Sequence, residues 1–305
     1  MRDYFGSHVR KYYTSVQDPQ PGLKVCTNRN GWQDYFLGEY LVFSHRITFY
    51  NRETFPDKLH THTFYELDII GGGDVSYIAN EQEITPRRGN IVLIPPGVTH
   101  TARLISPCEY DRTVFYFDPK VLQFLGGASL PGIFHRDQAS CLTIPMPKLA
   151  QYSYLLSSVE YRITQADPET APLMFARVIE LLYCISTNAR QDHAHYTALP
   201  SNVVEIKSYI DENYATIGSV ADLASQFFYS REHISRIFKY YFNTSITEYL
   251  MRKRIEAAKA ALDAGDSVTN AFTRSGYRSM STFIEAFRTV TGLSPSAYKK
   301  DHKAE

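Results

Sequence analysis

Two stretches decide the reading of this chain: VADLASQFFYS-REHISRIFKYY (220–241) and VTNAFTRSGYRS-MSTFIEAFRTV (268–290). Each reads as a short helix, a tight turn and a second helix, the helix-turn-helix pattern. They repeat at an offset of 49: Ser230 matches Ser279, Ile234 Phe283, Phe238 Phe287, Lys239 Arg288, Ser245 Ser294 and Tyr249 Tyr298. A fixed offset through polar and apolar positions marks a duplicated supersecondary unit. On a helical wheel Ile234, Ile237, Phe238 and Tyr241 form one stripe, as do Phe283, Ala286, Phe287 and Val290. The opposite faces carry Arg231, Glu232, Ser235, Arg236 and Lys239 in the first copy, and Ser281, Thr282, Glu285 and Arg288 in the second. Short polar faces of this kind fit the major groove of B-DNA, where Arg, Ser and Glu reach base edges. Solvated faces without a partner are the plainer reading of one copy; two copies joined by a helix over Ser245–Leu262 favour double-stranded promoter DNA as the partner.

The surrounding helices show their starts. Asn202-x-x-Glu205, Ser219-x-x-Asp222 and Ser245-x-x-Glu248 resemble capping boxes, and Ser230 and Ser279 are further N-cap candidates. Arg252, Lys253 and Arg254 cluster on the joining helix, with Lys299, Lys300 and Lys303 near the end, as groups able to hold phosphates. Residues 203–305 hold 14 Lys/Arg against 12 Asp/Glu, so charge supports nucleic-acid binding only through local placement.

The first half has another character. ITFYN (47–51), TFYELDII (63–70), VSYIA (75–79), NIVLIP (90–95), HTARLI (100–105) and RTVFYF (112–117) read as short strands. GGGD (71–74), NEQ (80–82), PRRG (86–89) and PPG (95–97) separate them, which predicts an antiparallel barrel or sandwich. Within it lies His60-x-His62-x₃-Glu66, followed after a Pro-Gly turn by His100. Positions 60, 62 and 66 share parity, so a strand points them to one face. Three imidazoles and a carboxylate suit a divalent transition metal: Zn, Mn, Fe or Ni. The alternatives are a metal-free pocket that hydrogen-bonds a polar small molecule such as a sugar, and histidines satisfied within a core. Phe64, Tyr65 and Tyr77 offer ring faces to a sugar or fill the sheet core.

Leu149, Tyr152, Leu155, Leu156, Val159 and Ile163 recur at helical spacing, as do Met174, Val178, Leu181, Leu182 and Ile185. These two amphipathic helices either pack on the sheet or form a dimer contact. QDHAHYTALPSN (191–202) lacks periodicity and reads as a linker. The expected class is therefore α+β: an effector-binding barrel over 1–145 with an arm at 1–22, a helical dimerisation segment at 146–190, a linker at 191–202, and an all-α DNA-binding domain at 203–300.

Composition narrows the classes. The 305 residues hold 32 Lys/Arg and 32 Asp/Glu, which excludes a highly basic nucleic-acid coat. No run approaches a membrane span, the N-terminal stretch has no apolar signal core, and four scattered cysteines suggest a reduced, cytoplasmic setting. GxSxG, P-loop and GxGxxG signatures are absent from the sequence, so no catalytic residues are expected.

ADLASQFFYSREHISRIFK (221–239), EYLMRKRIEAAKAAL (248–262) and SGYRSMSTFIEAFRTVTGLSPSAYKK (275–300) together resemble the DNA-binding domain of AraC/XylS-type transcription regulators. Arg254, Ala258, Leu262, Gly276, Phe283, Phe287, Gly292, Pro295 and Tyr298 fall where that pattern expects them. The resemblance implies a seven-helix unit whose two recognition helices enter successive major grooves. The sequence departs from the pattern at Phe228, where the first turn usually has Gly and must avoid positive φ or strain to reach it. Phe272 replaces a small residue and Glu285 a basic one. The histidine spacing resembles the two motifs of the cupin barrel, with Leu104 in place of an Asn. Regulators of this type often carry such a barrel as a sensor. Together the resemblances imply a ligand-responsive regulator that senses a sugar or other small polar metabolite, acts as a homodimer, and touches RNA polymerase if it is an activator. The rival from another class is a metal-dependent cupin enzyme with an appended helical domain.

Overall fold

The structure is a computed structural model that describes residues 13–20, 23–28, 33–38, 40–55, 58–126, 132–165 and 171–301. It divides into two compact units, with the boundary in the chain between Ala198 and Leu199.

The first unit contains two antiparallel sheets. Its strands are β1 (Tyr13–Gln20), β2 (Leu23–Asn28), β3 (Gln33–Leu37), β4 (Leu41–Tyr50), β5 (Tyr65–Gly72), β6 (Val75–Ala79), β7 (Gln82–Ile84), β8 (Ile91–Ile94), β9 (His100–Leu104), β10 (Cys108–Phe117), β11 (Ser140–Thr143), β12 (Arg190–Gln191) and β13 (Tyr196–Ala198). Nine strands run in the order β1-β2-β3-β4-β10-β5-β8-β11-β12 and four in the order β13-β7-β6-β9. Helices α1 (Val121–Phe124), α2 (Met146–Gln165) and α3 (Ala171–Asn188), with a 3-10 turn at His193–His195, are its helical elements among the described residues.

Strand parity explains why the central strands are buried on both faces. Leu67, Ile69, Ile91, Leu93, Phe115 and Phe117 point one way and pack with Tyr152, Leu155 and Val159 of α2 and Met174, Val178, Leu181, Leu182 and Ile185 of α3. The alternate residues Ile70, Val92, Ile94 and Tyr110 point the other way, into a second core with Val75, Tyr77, Ala79 and Leu104 of the smaller sheet. Both amphipathic helices thus spend their buried residues on the sheet, while Leu149 is exposed and the Ile163 side chain lies outside the described residues. Tyr154, Leu173 and Tyr183 are also exposed.

Two expectations change here. Residues 13–20 of the expected arm form the edge strand β1, paired with β2; residues 1–12 and 21–22 lie outside the described residues. The stretch 191–202 is not a free linker. Gln191 pairs with Leu142, and Tyr196–Ala198 pair with Ile84, Glu83 and Gln82. The Tyr196 hydroxyl accepts the Cys141 N–H at 2.6 Å, and the His195 carbonyl accepts the Thr85 N–H at 3.0 Å. Short strands of two and three residues have too little sequence for a period to show, which is why the segment reads as irregular.

The second unit has seven helices among its described residues: α4 (Ser201–Asn213), α5 (Val220–Gln226), α6 (Arg231–Phe242), α7 (Ile246–Asp263), α8 (Val268–Ser275), α9 (Met280–Thr291) and α10 (Pro295–Asp301). Ser219, Ser230, Ser245 and Ser267 accept the N–H three residues on, at 3.1 Å each, and satisfy donors that a helix start leaves open. Ser279 occupies the N-cap of α9 but bonds Ser281 Oγ instead. Asn202 does not cap: it sits inside α4, where its amide donates to the Tyr229 hydroxyl at 3.1 Å.

Gly276 ends α8 at φ +74°, and an added Cβ would lie 2.4 Å from the Ala215 backbone. Gly276→Ala is expected to cost roughly 2–4 kcal/mol, from positive φ and overpacking together, read as a lower urea midpoint. The turn before α6 takes the opposite course. Phe228 reaches φ +57° although it has a Cβ, and its side chain is 96% exposed. Relief of left-handed strain makes Phe228→Gly stabilising by about 1 kcal/mol in the same melt, and a lower midpoint would contradict this.

Candidate functional site

β5 and the segment leading to it carry His60, His62 and Glu66; β9 carries His100. His60 and His100 pair as an isolated bridge, each N–H donating to the other's carbonyl at 2.9 Å. This brings residues 40 apart in sequence onto one wall, with the imidazole centroids 4.3 Å apart. The four expected ligand atoms all lie within 4.8 Å of one another. His62, Glu66 and His100 are buried.

Each imidazole is oriented by a backbone carbonyl. Nδ1 of His60 lies 2.6 Å from the Lys58 oxygen, that of His62 lies 2.7 Å from the Phe64 oxygen, and that of His100 lies 3.0 Å from the Val98 oxygen. A carbonyl only accepts, so Nδ1 carries the proton and Nε2 is left as a lone-pair donor. Nε2 of His62 and of His100 face Glu66 Oε2 at 3.1 and 3.2 Å. Burial pushes the Glu66 carboxyl up, but the imidazoles of His100 and His62 outweigh it and hold it well below the usual carboxylate range. An ionised carboxylate facing two imidazoles that already hold a proton on Nδ1 calls for positive charge between them: further protons or a bound cation.

The same inner face continues with Asp68, two residues along β5. Burial, then the Glu66 charge, push its carboxyl up to about 6 against the pull of Arg112. Phe64 stacks on the His62 ring at 4.2 Å, and Tyr77 places its hydroxyl on Asp68. Tyr65 does not line this face: it points to the helical side and donates to the Phe134 carbonyl at 2.5 Å.

In the second unit the two polar faces lie on α6 and α9. Arg231, Glu232, Arg236 and Lys239 are exposed and Ser235 is half-buried; Ser281, Thr282, Glu285 and Arg288 are exposed. Ile234, Phe238 and Phe242 form the buried stripe of α6, with Ile237 and Tyr241 half-buried at its edges. Phe283, Ala286 and Phe287 do the same for α9, where Phe272 fits edge-on against Phe283 at 5.7 Å.

The basic residues of α7, and Lys299 of α10, make contacts within the second unit. Arg254 donates to the carbonyls of Tyr214 and Ile217 at 2.9 and 2.6 Å, with its guanidinium over the Tyr277 ring. Arg252 pairs with Glu248 at 3.1 Å and Lys253 with Asp211 at 3.2 Å. Lys299 donates to the Gly265 and Asp266 carbonyls. Sequence reasoning missed these because charge clusters look alike whether they face solvent or clamp a neighbouring turn.

Comparison with known proteins bears on both units. A family model described as AraC-like ligand binding domain matches residues 45–199, and one described as helix-turn-helix domain matches residues 223–301. The HTH-type transcriptional activator RhaR of Mannheimia succiniciproducens is 24% identical over 245 residues, 80% of this chain and 87% of that protein. The melibiose operon regulatory protein of Escherichia coli is 22% identical over 260 residues, covering 79% of this chain and 83% of that protein. The raffinose operon regulatory protein RafR of Pediococcus pentosaceus is 37% identical over 94 residues, 30% of this chain and 34% of that protein. Among the described residues no helix is long and apolar enough to cross a membrane. With an antiparallel cupin-like unit, a duplicated helix-turn-helix unit and both family models matched, the chain belongs to the AraC family of transcription regulators, which join a ligand-binding domain to a DNA-binding one.

Proposed function

We propose that this regulator is a cytoplasmic, homodimeric sensor of a sugar, whose barrel holds a divalent transition metal and whose α6 and α9 read promoter DNA. The observation that carries the reading is the convergence of His60, His62, Glu66 and His100, with the Nδ1 protons anchored on backbone carbonyls and Nε2 turned inward. That second layer of hydrogen bonds is what orients metal-ligating histidines. A metal with bonds near 2.1 Å has a coordination sphere about 4.2 Å across, so the four groups close on an ion with small shifts. Zn, Mn, Fe and Ni all suit imidazole and carboxylate donors. When bound, the ion supplies a Lewis-acidic contact for a hydroxyl or carbonyl of the effector. His60, His62, Glu66 and His100 hold and orient it, and the buried wall around them excludes bulk water.

The operon names of the melibiose and raffinose relatives favour a sugar as effector. The relatives are transcription regulators, so sensing is favoured over turnover. Ligand acts by binding one state of the protein better than another, and RNA polymerase is the partner if the output is activation. Arg231, Glu232, Ser235, Arg236 and Lys239 on one helix, and Ser281, Thr282, Glu285 and Arg288 on the other, are assigned to DNA.

Selection of bound fragments from a random DNA pool by the full chain, with and without a sugar panel, tests this directly. Helix α7 spans about 27 Å, close to the 34 Å between successive major grooves. The expected result is two short recognised blocks one helical turn apart, with occupancy altered by one sugar. A single block of about five base pairs would remove α9 from the DNA contact.

A further inference from the structure

The inner face of the barrel carries a second cluster of buried polar groups beside the histidines. Asp68 is fully buried. Its Oδ2 accepts from the Tyr77 hydroxyl and from Arg112 Nη1, the latter at 3.2 Å, while its Oδ1 has no partner. Arg112 Nη1 also donates to the Tyr110 hydroxyl at 3.2 Å, and the guanidinium lies over the Tyr110 ring at 4.8 Å. The Tyr77 and Tyr110 hydroxyls touch one another. Arg112 keeps 15% of its side chain exposed, so one edge of the cluster is open.

Charge decides what this cluster can take. Arg46 lies directly across from Arg112 in the β4–β10 register, but Asp34 engages it at 2.9 Å. Arg112 is matched by Asp68 in the same way, and Glu66 stands nearby on the same strand. Two guanidiniums, each balanced by its own carboxylate, leave no surplus positive charge to recruit a phosphate. A carboxylate oxygen buried without a donor, by contrast, costs folding free energy until something donates to it. A hydroxyl donates and accepts at once, so one hydroxyl serves Asp68 Oδ1 while its neighbour accepts from the guanidinium edge of Arg112. The Phe64 and Tyr116 rings pack edge-to-face at 5.4 Å in an adjoining apolar cluster with Phe36, Val42 and Val114.

We propose that Asp68, Arg112, Tyr77 and Tyr110 form a hydroxyl-recognition subsite of the effector pocket, and that it takes an uncharged sugar or polyol with adjacent hydroxyls and rejects phosphorylated ones. The inference rests on the reading of the barrel as a sugar sensor and not on the metal.

The test uses the full chain in isothermal titration and thermal-shift measurements. The probes are arabinose, fucose, galactose, glucose, melibiose, raffinose and mannitol, with galactose 1-phosphate, glucose 6-phosphate and gluconate as charged counterparts. At least one uncharged probe is expected to bind wild type, and its charged counterpart to bind far more weakly. Asp68→Asn and Arg112→Lys should each weaken that probe by about 10- to 100-fold, as loss of a buried charge-assisted hydrogen bond does. Tyr110→Phe, which removes a single hydroxyl, should weaken it less and guards against misfolding of the charge variants. Metal content is read on the same preparations. Affinity indifferent to Asp68, Arg112 and Tyr110 overturns the subsite, as does tighter binding of the charged probes or binding of none. A metal-free wild type with an Asp68-dependent sugar affinity overturns the metal reading alone.

Discussion

Arg236→Ala is expected to weaken binding to the selected operator by about 1–3 kcal/mol, the value of one bidentate contact to a base edge. The side chain is exposed on α6, opposite the buried stripe of Ile234, Phe238 and Phe242. Among the described residues it meets His233 on the same helix, at 3.5 Å, and makes no ion pair with a carboxylate. If the contact is to a base, discrimination at one base pair collapses while the salt dependence barely moves. If the contact is to a phosphate, affinity falls across all sequences and the salt slope drops by about one. Gel-shift titration at several salt concentrations separates the two, and wild-type affinity would withdraw Arg236 from the interface. The position 49 residues later is Glu285, also exposed. A carboxylate there accepts from cytosine and repels phosphate, so the two helices are expected to prefer different bases. The block under α9 should also tolerate more variation.

Replacement of His60 and His62 together by Ala is expected to abolish both metal content and the response to effector, with operator affinity kept within about twofold, since coupling can be lost without loss of either fold. Both residues belong to the first unit, and the side chains proposed to contact DNA belong to the second. Elemental analysis provides one readout. Thermal melting supplies the other: a chelator should lower the melting temperature of wild type and leave the double variant unmoved, because an ion that binds only the folded state stabilises it by mass action. Full effector response in the double variant would make the cluster structural. Equal chelator sensitivity would place the metal elsewhere.

How much of this was legible in the chain depends on how local the code is. The helical stripes of α6 and α9 and the caps at Ser219, Ser230 and Ser245 each involve residues within one or two turns, so spacing alone exposed them. The histidine cluster was legible for a related reason. The even spacing of 60, 62 and 66 flagged them, although only Glu66 lies in β5; the bridge from His60 to His100, after the turn at 95–97, is what gathers the cluster. Leu149, Asn202 and the stretch 191–202 read differently in the structure, because a period says that a face exists but not what covers it.

By itself, then, the sequence determined a strand-rich half, a duplicated helix-turn-helix half, and which residues share a face. Only the tertiary structure decided which buried charges meet. Arg112 finds Asp68 across 44 residues, and Arg254 reaches the Tyr214 and Ile217 carbonyls across 40 and 37. Those pairings follow from sheet register and helix packing, where the driving force is burial of apolar surface spread over many strands and helices. A buried charge must then take whichever partner that packing places beside it, or remain unpaired as Asp68 Oδ1 does, and no local spacing records the outcome.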